Sequence, residues 1–412
     1  MVNNKSKKAR QSIGKATNKQ VQKEGKNPQE PVQQSTSQST IRKTYYCGVE
    51  SNLACTRIVV IDPETVENQH RCWEVSKGTD LYYMSPKNTA NIIGAGIEAA
   101  MRKAVGITKE EEKTRNKRKT IKKTEDWRTR GSIKRLIMVF PELERSDKHD
   151  EFLKIFEASF VNCENPICDS FEVSTEIDIV AKTHFEKHDG IVIQGGLDSY
   201  CRLVHNGQLV KNETAGFQNG PGAYWIARAC IQNYVREIER AVIHSDKKPS
   251  YAKQVMKFVA EKLGLKEHDA LRANEIAFSN FYKHRLAILT EQLAAFSRNE
   301  KDGGKVLGEL FFDAGWALGK LAEDVTERHA EVKSGTTKFL VYGRLFDSFP
   351  LFFGGILAAL SKAGFQHVQF YRKREVSAVN AAAAAAAKDN FYLIMDPMEM
   401  IYEVSLGQIV HN

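Results

Sequence analysis

Twice along the chain an apolar strand turns straight back on itself and then gives way to helices. This repeat restricts the fold more than any single motif. Its first statement is "TYYCGVES" from Thr44, a short turn, "TRIVVID" from Thr56 and "HRCWEVS" from His70, followed by a helical stretch, "KNTANIIGAGIEAAMRKAV". A strand "KRLIMVF", a helix "DEFLKIFEASF" and a strand "SFEVST" complete a β-β-β-α-β-α-β order. The second statement begins near His188, where "GIVIQGG" ends in glycines and "SYCRLVHNGQLV" turns at Asn206-Gly207. That dipeptide suits a two-residue hairpin because both positions need positive φ. A long helix is predicted from about Gly222, with Ile231, Tyr234, Val235, Ile238 and Val242 on one face at helical spacing. Further helices are predicted over 250–263, 268–298 and 303–330, then a buried strand at "KFLVYG", a helix through Leu360 and a strand at "HVQFYRK". "AVNAAAAAAAKDN" reads as a helix, since alanine is the best helix former. Hairpins joined to βα units predict an α/β chain of mixed sheets covered by helices.

The 412 residues suffice for about two domains. Residues 1–42 are rich in Lys, Gln, Ser and Thr, with too little apolar surface to offset the entropy of ordering, so they read as a disordered basic tail. A first domain is expected over 43–186, with a basic insertion at 109–130 that contains "KTRNKRKTIKK"; that run suits an exposed charged loop, with contact to RNA, membrane or an import factor as the alternative. A second domain follows over 187–375, carrying a helical insertion. A helix and C-terminal tail, 376–412, are expected to pack back on the first domain.

Charge and cysteine usage narrow the function classes. Of the net charge of +9, residues 1–43 supply ten Lys or Arg against two Glu, which leaves the body nearly neutral. A nucleic-acid face on the folded part is therefore not supported, and RNA or an anionic surface remains a partner for the tail alone. No run of eighteen apolar residues occurs, so no transmembrane helix is expected. No apolar core follows the basic N-terminus, so no secretory signal is expected either. Seven scattered cysteines, an odd number, do not form a disulfide framework, and Cys163 and Cys168 lack a second pair at zinc spacing. The expectation is a cytoplasmic protein with reduced thiols, no metal centre, and a tail that leaves nuclear entry open.

Four stretches carry a resemblance: "CGVES" with "TRIVVID", "VIQGGLDSYCRL", "GPGAYWIARACI" and "FLVYGRLFDSFPLFFGGILAAL", supported by "DAGWALGKLAEDV". With them the chain, from about Tyr45 to about Asn390, resembles the eukaryotic N-acetylglucosamine kinases. These belong to the BadF/BadG-type ATPase group of the actin, sugar-kinase and Hsp70 superfamily. The resemblance implies two ribonuclease-H-like domains of mixed sheet around a central cleft that closes over ATP, Mg²⁺ and an amino sugar. It also implies a homodimer. Two glycine-bearing hairpins would hold the phosphates, a strand-end aspartate would take the sugar proton, and a strand-end glycine would abut the adenosine.

Position by position, the implied sites are altered. Backbone N–H groups reach phosphate closely only where side chains are absent, which is why glycines crowd such turns. The first hairpin falls on Glu50, Ser51, Asn52, Leu53, Ala54, Cys55 and Thr56; Glu50 and Thr56 match, but every glycine is gone. The turn lacks glycine, on this reading, because nothing now requires close backbone approach. The second keeps Gly195, Gly196 and Ser199 but gains Asp198, either a turn residue or a Mg²⁺ ligand. Glu176 takes the position of the base, with Asp178 two residues on; either is the candidate, against an ordinary strand-end or N-cap carboxylate. The sugar loops read Asn219 and Gly220 where carboxylates are expected, and Tyr82, Tyr83 and Met84 where small polar residues are expected. On the adenosine side Gly343 is kept, and Arg344 replaces a small residue; it would stack on adenine or, preferably, fill the cleft. Removing one preorganised donor commonly costs about 10²–10³ in rate, so the combined losses predict a pseudokinase or very weak kinase acting as a binding or regulatory module. The alternative is an active ATP-dependent amino-sugar kinase with a rearranged site.

Overall fold

β1 (Lys43–Ser51) is the middle strand of a five-stranded sheet in the order β3-β2-β1-β4-β5. In the computed structural model the described residues are 42–64, 71–79, 81, 84–107, 126–141, 148–185, 188–210, 221–243, 253–266, 269–278, 283–299, 301–373, 376–393 and 398–406. They belong to one compact unit, Ile41–Asn412. Residues 1–41 of the predicted tail and 109–125 of the predicted insertion lie outside them. The end of that insertion is part of the fold, because the 3₁₀ turn Trp127–Thr129 buries Trp127 in the first core.

β2 (Cys55–Ile61) and β3 (Arg71–Lys77) run antiparallel to their neighbours, whereas β4 (Gly131–Phe140) and β5 (Cys168–Thr175) run parallel. Both faces of the sheet are covered, so the central strands read as continuous apolar runs with alternate residues going opposite ways. Tyr45, Cys47, Val49, Ile58 and Val60 meet α1 (Pro86–Ala104) and α2 (His149–Phe156) on one face. Tyr46, Val59, Ile61, Ile137 and Val139 point to the other face.

The second sheet has six strands in the order β11-β10-β9-β6-β7-β8. β6 (Gly190–Gly195), β9 (Thr336–Tyr342) and β10 (His367–Arg372) are parallel. β7 (Ser199–His205) and β8 (Gln208–Val210) form the hairpin, with Asn206 and Gly207 at φ 51° and 69°. β11 (Glu399–Ser405) adds an antiparallel edge to β10. This strand lies in the stretch read from sequence as a tail, so the chain after residue 375 gives a helix to the first sheet and a strand to the second.

One face of the second sheet carries α4 (Ala223–Ile243), α5 (Lys253–Leu263), α6 (Ala270–Phe278), α7 (Lys283–Asn299), α8 (Lys301–Val325) and α9 (Phe349–Lys362). The predicted 268–298 helix is two, α6 and α7. Val242, placed on the buried face of α4 by its spacing, is 79% exposed because the last turn runs past the core. Residues 344–362 are long and apolar enough to span a membrane, but half of that stretch is buried in the fold, with α9 packed on α8. Here Gly315 and Gly355 let two backbones touch: a Cβ on Gly355 would fall 2.0 Å from the Phe312 carbonyl oxygen.

Two helices lie between the sheets. α3 (Glu176–Phe185) buries Ile177, Val180 and Phe185 against β6, β7 and β9, and turns Ile179 toward the first sheet. α10 (Ser377–Ala387) is the alanine run, laid directly on β1 and β4. Its alanines have a steric reason. A Cβ on Gly48 of β1 would sit 2.0 Å from the Ala378 carbonyl oxygen and 2.4 Å from the Ala382 nitrogen, so helix and strand meet backbone to backbone. At the other end of α10, Asp389 accepts from Tyr46 Oη at 3.0 Å and Arg135 Nε at 2.9 Å. The Arg135 guanidinium holds the Asp389 carboxyl down to about 2.

Candidate functional site

The ends of β1, β5, β6 and β9 and the first turns of α3 and α10 bring most of the sequence-predicted residues to one interior region between the sheets. The first hairpin closes by a single asparagine. Asn52 Oδ1 accepts from the backbone N–H of Ala54 at 2.9 Å and of Cys55 at 3.0 Å, an Asx turn. The Asn52 N–H donates to the Cys55 carbonyl at 3.2 Å. Three N–H groups of the turn are thus spent inside it. The 78–79 segment then covers it: Thr79 N–H donates to the Asn52 carbonyl at 2.9 Å, and a Cβ on Gly78 would meet the Leu53 carbonyl oxygen at 2.0 Å.

The hydroxyls are engaged as well. Thr56 Oγ1, which the resemblance assigns to the nucleotide, lies 2.5 Å from Thr79 Oγ1, and Ser51 Oγ donates to the Thr79 carbonyl at 2.7 Å. All three side chains are fully buried. Glu50 Oε1 accepts from Arg57 Nη1 at 2.6 Å and Asn52 Nδ2 at 3.0 Å, while Glu50 Oε2 is buried without a hydrogen-bond partner.

The second hairpin is closed from its other side. Gly196 N–H donates to the Asp198 carbonyl at 3.0 Å. The first N–H groups of α4, from Ala223 and Tyr224, donate to the Gly196 and Leu197 carbonyls at 3.0 and 3.1 Å. A helix N-terminus is a ready anion site only while its donors are unspent; here two of them hold the turn. Gly222 allows this approach, since a Cβ there would fall 2.3 Å from the Leu197 carbonyl oxygen. Asp198 is nearly buried, and Ser199 Oγ is buried without a partner. These two turns therefore do not fit a triphosphate.

The two carboxylates proposed from sequence as a base are held within the fold. Thr175 caps α3, its Oγ1 accepting from the Asp178 N–H at 3.3 Å. Asp178 pairs with Arg202 Nε at 3.0 Å, both side chains close to buried. Glu176 is held by the Ser377 hydroxyl from α10 and by Gln194 Nε2 from β6 at 2.7 Å. Burial pushes its carboxyl up to about 7, and the nearby charge of Glu50 adds to this. Tyr342 Oη and Gln194 Oε1 complete the region as buried atoms without partners.

Gly343 needs its φ of 100°, and a Cβ there would strike the Gly195 carbonyl oxygen at 2.2 Å. Arg344 does not fill the cleft. Its side chain is 81% exposed and reaches Glu291 of α7 at 3.2 Å, because the turn after Gly343 points it outward. Tyr82, Asn219 and Gly220 lie outside the described residues. Ser377, Gln194 and Thr79, the three groups that occupy the candidate site, are not among the sequence-predicted residues; Gln194 stands beside Gly195 in "VIQGGLDSYCRL", where a polar side chain in an apolar strand is the one signal the sequence offers.

No protein-family profile matches the chain, and no curated protein matches it. Solved structures do. A presumed N-acetylglucosamine kinase from Chromobacterium violaceum superposes with a TM-score of 0.51 at 12% identity, covering 83% of this chain and 98% of the other. A presumed N-acetylglucosamine kinase from Porphyromonas gingivalis gives 0.47 at 12% identity over 78% and 92%. A ROK family glucokinase from Streptomyces griseus, solved with glucose and AMPPNP, gives 0.46 at 12% identity over 83% and 98%. The first of these establishes the fold: two mixed sheets with flanking helices in the manner of the sugar kinases, the actin-like ATPase fold.

Proposed function

We propose that this chain is a divergent relative of the N-acetylglucosamine kinases, of the eukaryotic BadF/BadG type, that has given up efficient phosphoryl transfer and serves as a binding or regulatory module. The observation that carries this reading is the Asx turn at Asn52, which takes for itself the backbone donors a phosphate would need. Phosphoryl transfer depends almost wholly on positioning and charge stabilisation, so spent donors at both turns remove its main source of rate. Activity lives in sites and not in folds, so the fold persists without it.

A second reading has one observation in its favour. Glu176 titrates near neutrality, the range of a working general base, and Glu50 Oε2 and Gln194 Oε1 beside it lack partners. On this reading the protein phosphorylates an amino sugar slowly, with ATP and Mg²⁺ bound after the cleft opens. A coupled ATP-consumption assay against N-acetylated hexosamines separates the two. The module reading predicts no turnover above the no-sugar background. Sugar-dependent turnover that disappears in Glu176→Gln, with the variant still folded, would establish the kinase.

A further inference from the structure

The rim of the second sheet opposite the cleft gathers three metal-ligating side chains from two elements. His205 ends β7, and His329 and Glu331 lie at the 3₁₀ turn Ala330–Lys333 that leads to β9. His205 Nε2 is 3.1 Å from Glu331 Oε1, and His329 Nδ1 is 3.4 Å from that same oxygen. The three ligand atoms lie within 4.8 Å of one another.

A fourth residue fixes the chemistry. Asp189, just before β6, has both oxygens committed: Oδ2 to His205 Nδ1 at 2.8 Å and Oδ1 to the Asn206 N–H at 2.6 Å. The held carboxylate keeps the proton on Nδ1 and leaves the lone pair on Nε2, the arrangement that orients metal-binding histidines. That lone pair faces the Glu331 carboxylate, whose Oε1 lies 3.1 Å away. Asn206 Nδ2, at 3.1 Å, donates to that lone pair in the metal-free site and would give it up to a metal ion. Two acceptors at such a separation repel unless a cation sits between them, either a proton on His205 or a metal ion. A proton on His205 would join that pair and a hydrogen on His329 Nδ1 would reach the same oxygen separately, whereas one metal ion takes all three ligand atoms at once. Ligand bonds of about 2.0–2.2 Å at tetrahedral angles place ligand atoms roughly 3.3–3.6 Å apart, close to the 3.1 and 3.4 Å of the two pairs that share Glu331 Oε1.

We propose that His205, His329 and Glu331 form a tetrahedral zinc-class site, oriented by Asp189, with water as the fourth ligand. Two imidazoles and a carboxylate suit Zn²⁺ over the oxygen-preferring Mg²⁺ or Ca²⁺. β6, β7 and β9 separate this rim from the cleft by about 20 Å, the length of a six-residue strand. The ion acts there as a staple: it ties the 329–333 turn to the β6–β7 rim and does not take part in cleft chemistry.

The test uses the full chain, freed of metal by chelation, with Zn²⁺ titrated by calorimetry and Co²⁺ followed by absorption. One equivalent of Zn²⁺ is expected, with a raised melting temperature and a tetrahedral Co²⁺ spectrum lacking a thiolate charge-transfer band. That last feature separates the site from the free cysteines. The double variant H205A/H329A is expected to lose this equivalent and its thermal shift. Asp189→Asn is expected to weaken binding about 10–100-fold. All four residues lie at the surface or part-buried, and a variant that melts at the metal-free wild-type temperature certifies its own folding. Zinc binding unchanged in H205A/H329A, a Co²⁺ spectrum of thiolate type, or no binding by the wild type below millimolar Zn²⁺ would each overturn the proposal.

Discussion

The Ser377 hydroxyl donates a hydrogen bond to the carboxyl of Glu176, 201 residues earlier in the chain. One residue opens α10 and the other opens α3, the two helices between the sheets. Gln194 holds the same carboxyl from β6. The Glu176 side chain is thus an interior link among three elements. What it joins, it also closes.

That burial has a pH consequence. Glu176 titrates at about 7 in the fold against a usual 4.5, so between those values the folded chain holds a proton the unfolded chain has released. Stability therefore falls as pH rises from about 4.5 to about 7 and loses nothing further from this group above that. Glu176→Gln removes the titration while keeping the shape. Urea midpoints taken from pH 5 to pH 8 are expected to show the variant gaining on the wild type as pH rises, with the gain complete by about pH 8. Parallel curves would contradict the burial of this charge.

Asn52→Ala removes the acceptor of two turn N–H groups and leaves the backbone bonds to Cys55 and Thr79 to hold the turn. Each lost hydrogen bond of this kind costs about 0.5–1.5 kcal/mol. A loss of about 1–3 kcal/mol in equilibrium unfolding is expected. A neutral substitution would mean that the turn closes without Asn52.

Gly48 and Gly308 make a matched pair. A Cβ at Gly48 runs into the α10 backbone, whereas at Gly308, inside α8, it meets nothing within 4 Å. Gly48→Ala is expected to destabilise by roughly 3 kcal/mol or to prevent soluble expression, since α10 must lift from β1. Gly308→Ala is expected to stabilise by about 0.5–1 kcal/mol through helix propensity. Equal effects would show that helix and strand do not meet at Gly48.

Much of the fold was legible in residues. The continuous apolar runs of β1, β2, β4 and β6 announce strands buried on both faces, and Asn206-Gly207 announces its hairpin. The alanine run announces a helix, though only contact with Gly48 shows why it tolerates nothing larger. β11 went unread because "EMIYEVS" is an edge strand with one mostly exposed face, and its pattern is short and weak. At the site, the absence of glycine from the first turn is readable, but the Asx turn that closes it depends on where the Asn52 side chain points. Arg344 could not be placed because the φ of Gly343 decides its direction. Ser377 with Glu176, and His205 with His329, are pairs that only the folded chain brings together.

The turns at Asn52 and Gly196 are closed by the protein's own hydrogen bonds. Thermal melts of the full chain with and without millimolar Mg-ATP show whether they still admit a nucleotide, because a ligand of the folded state raises the melting temperature by mass action. The closed turns predict curves that superpose at every nucleotide concentration. A melting temperature that climbs with Mg-ATP and fails to climb with Mg²⁺ alone would contradict them.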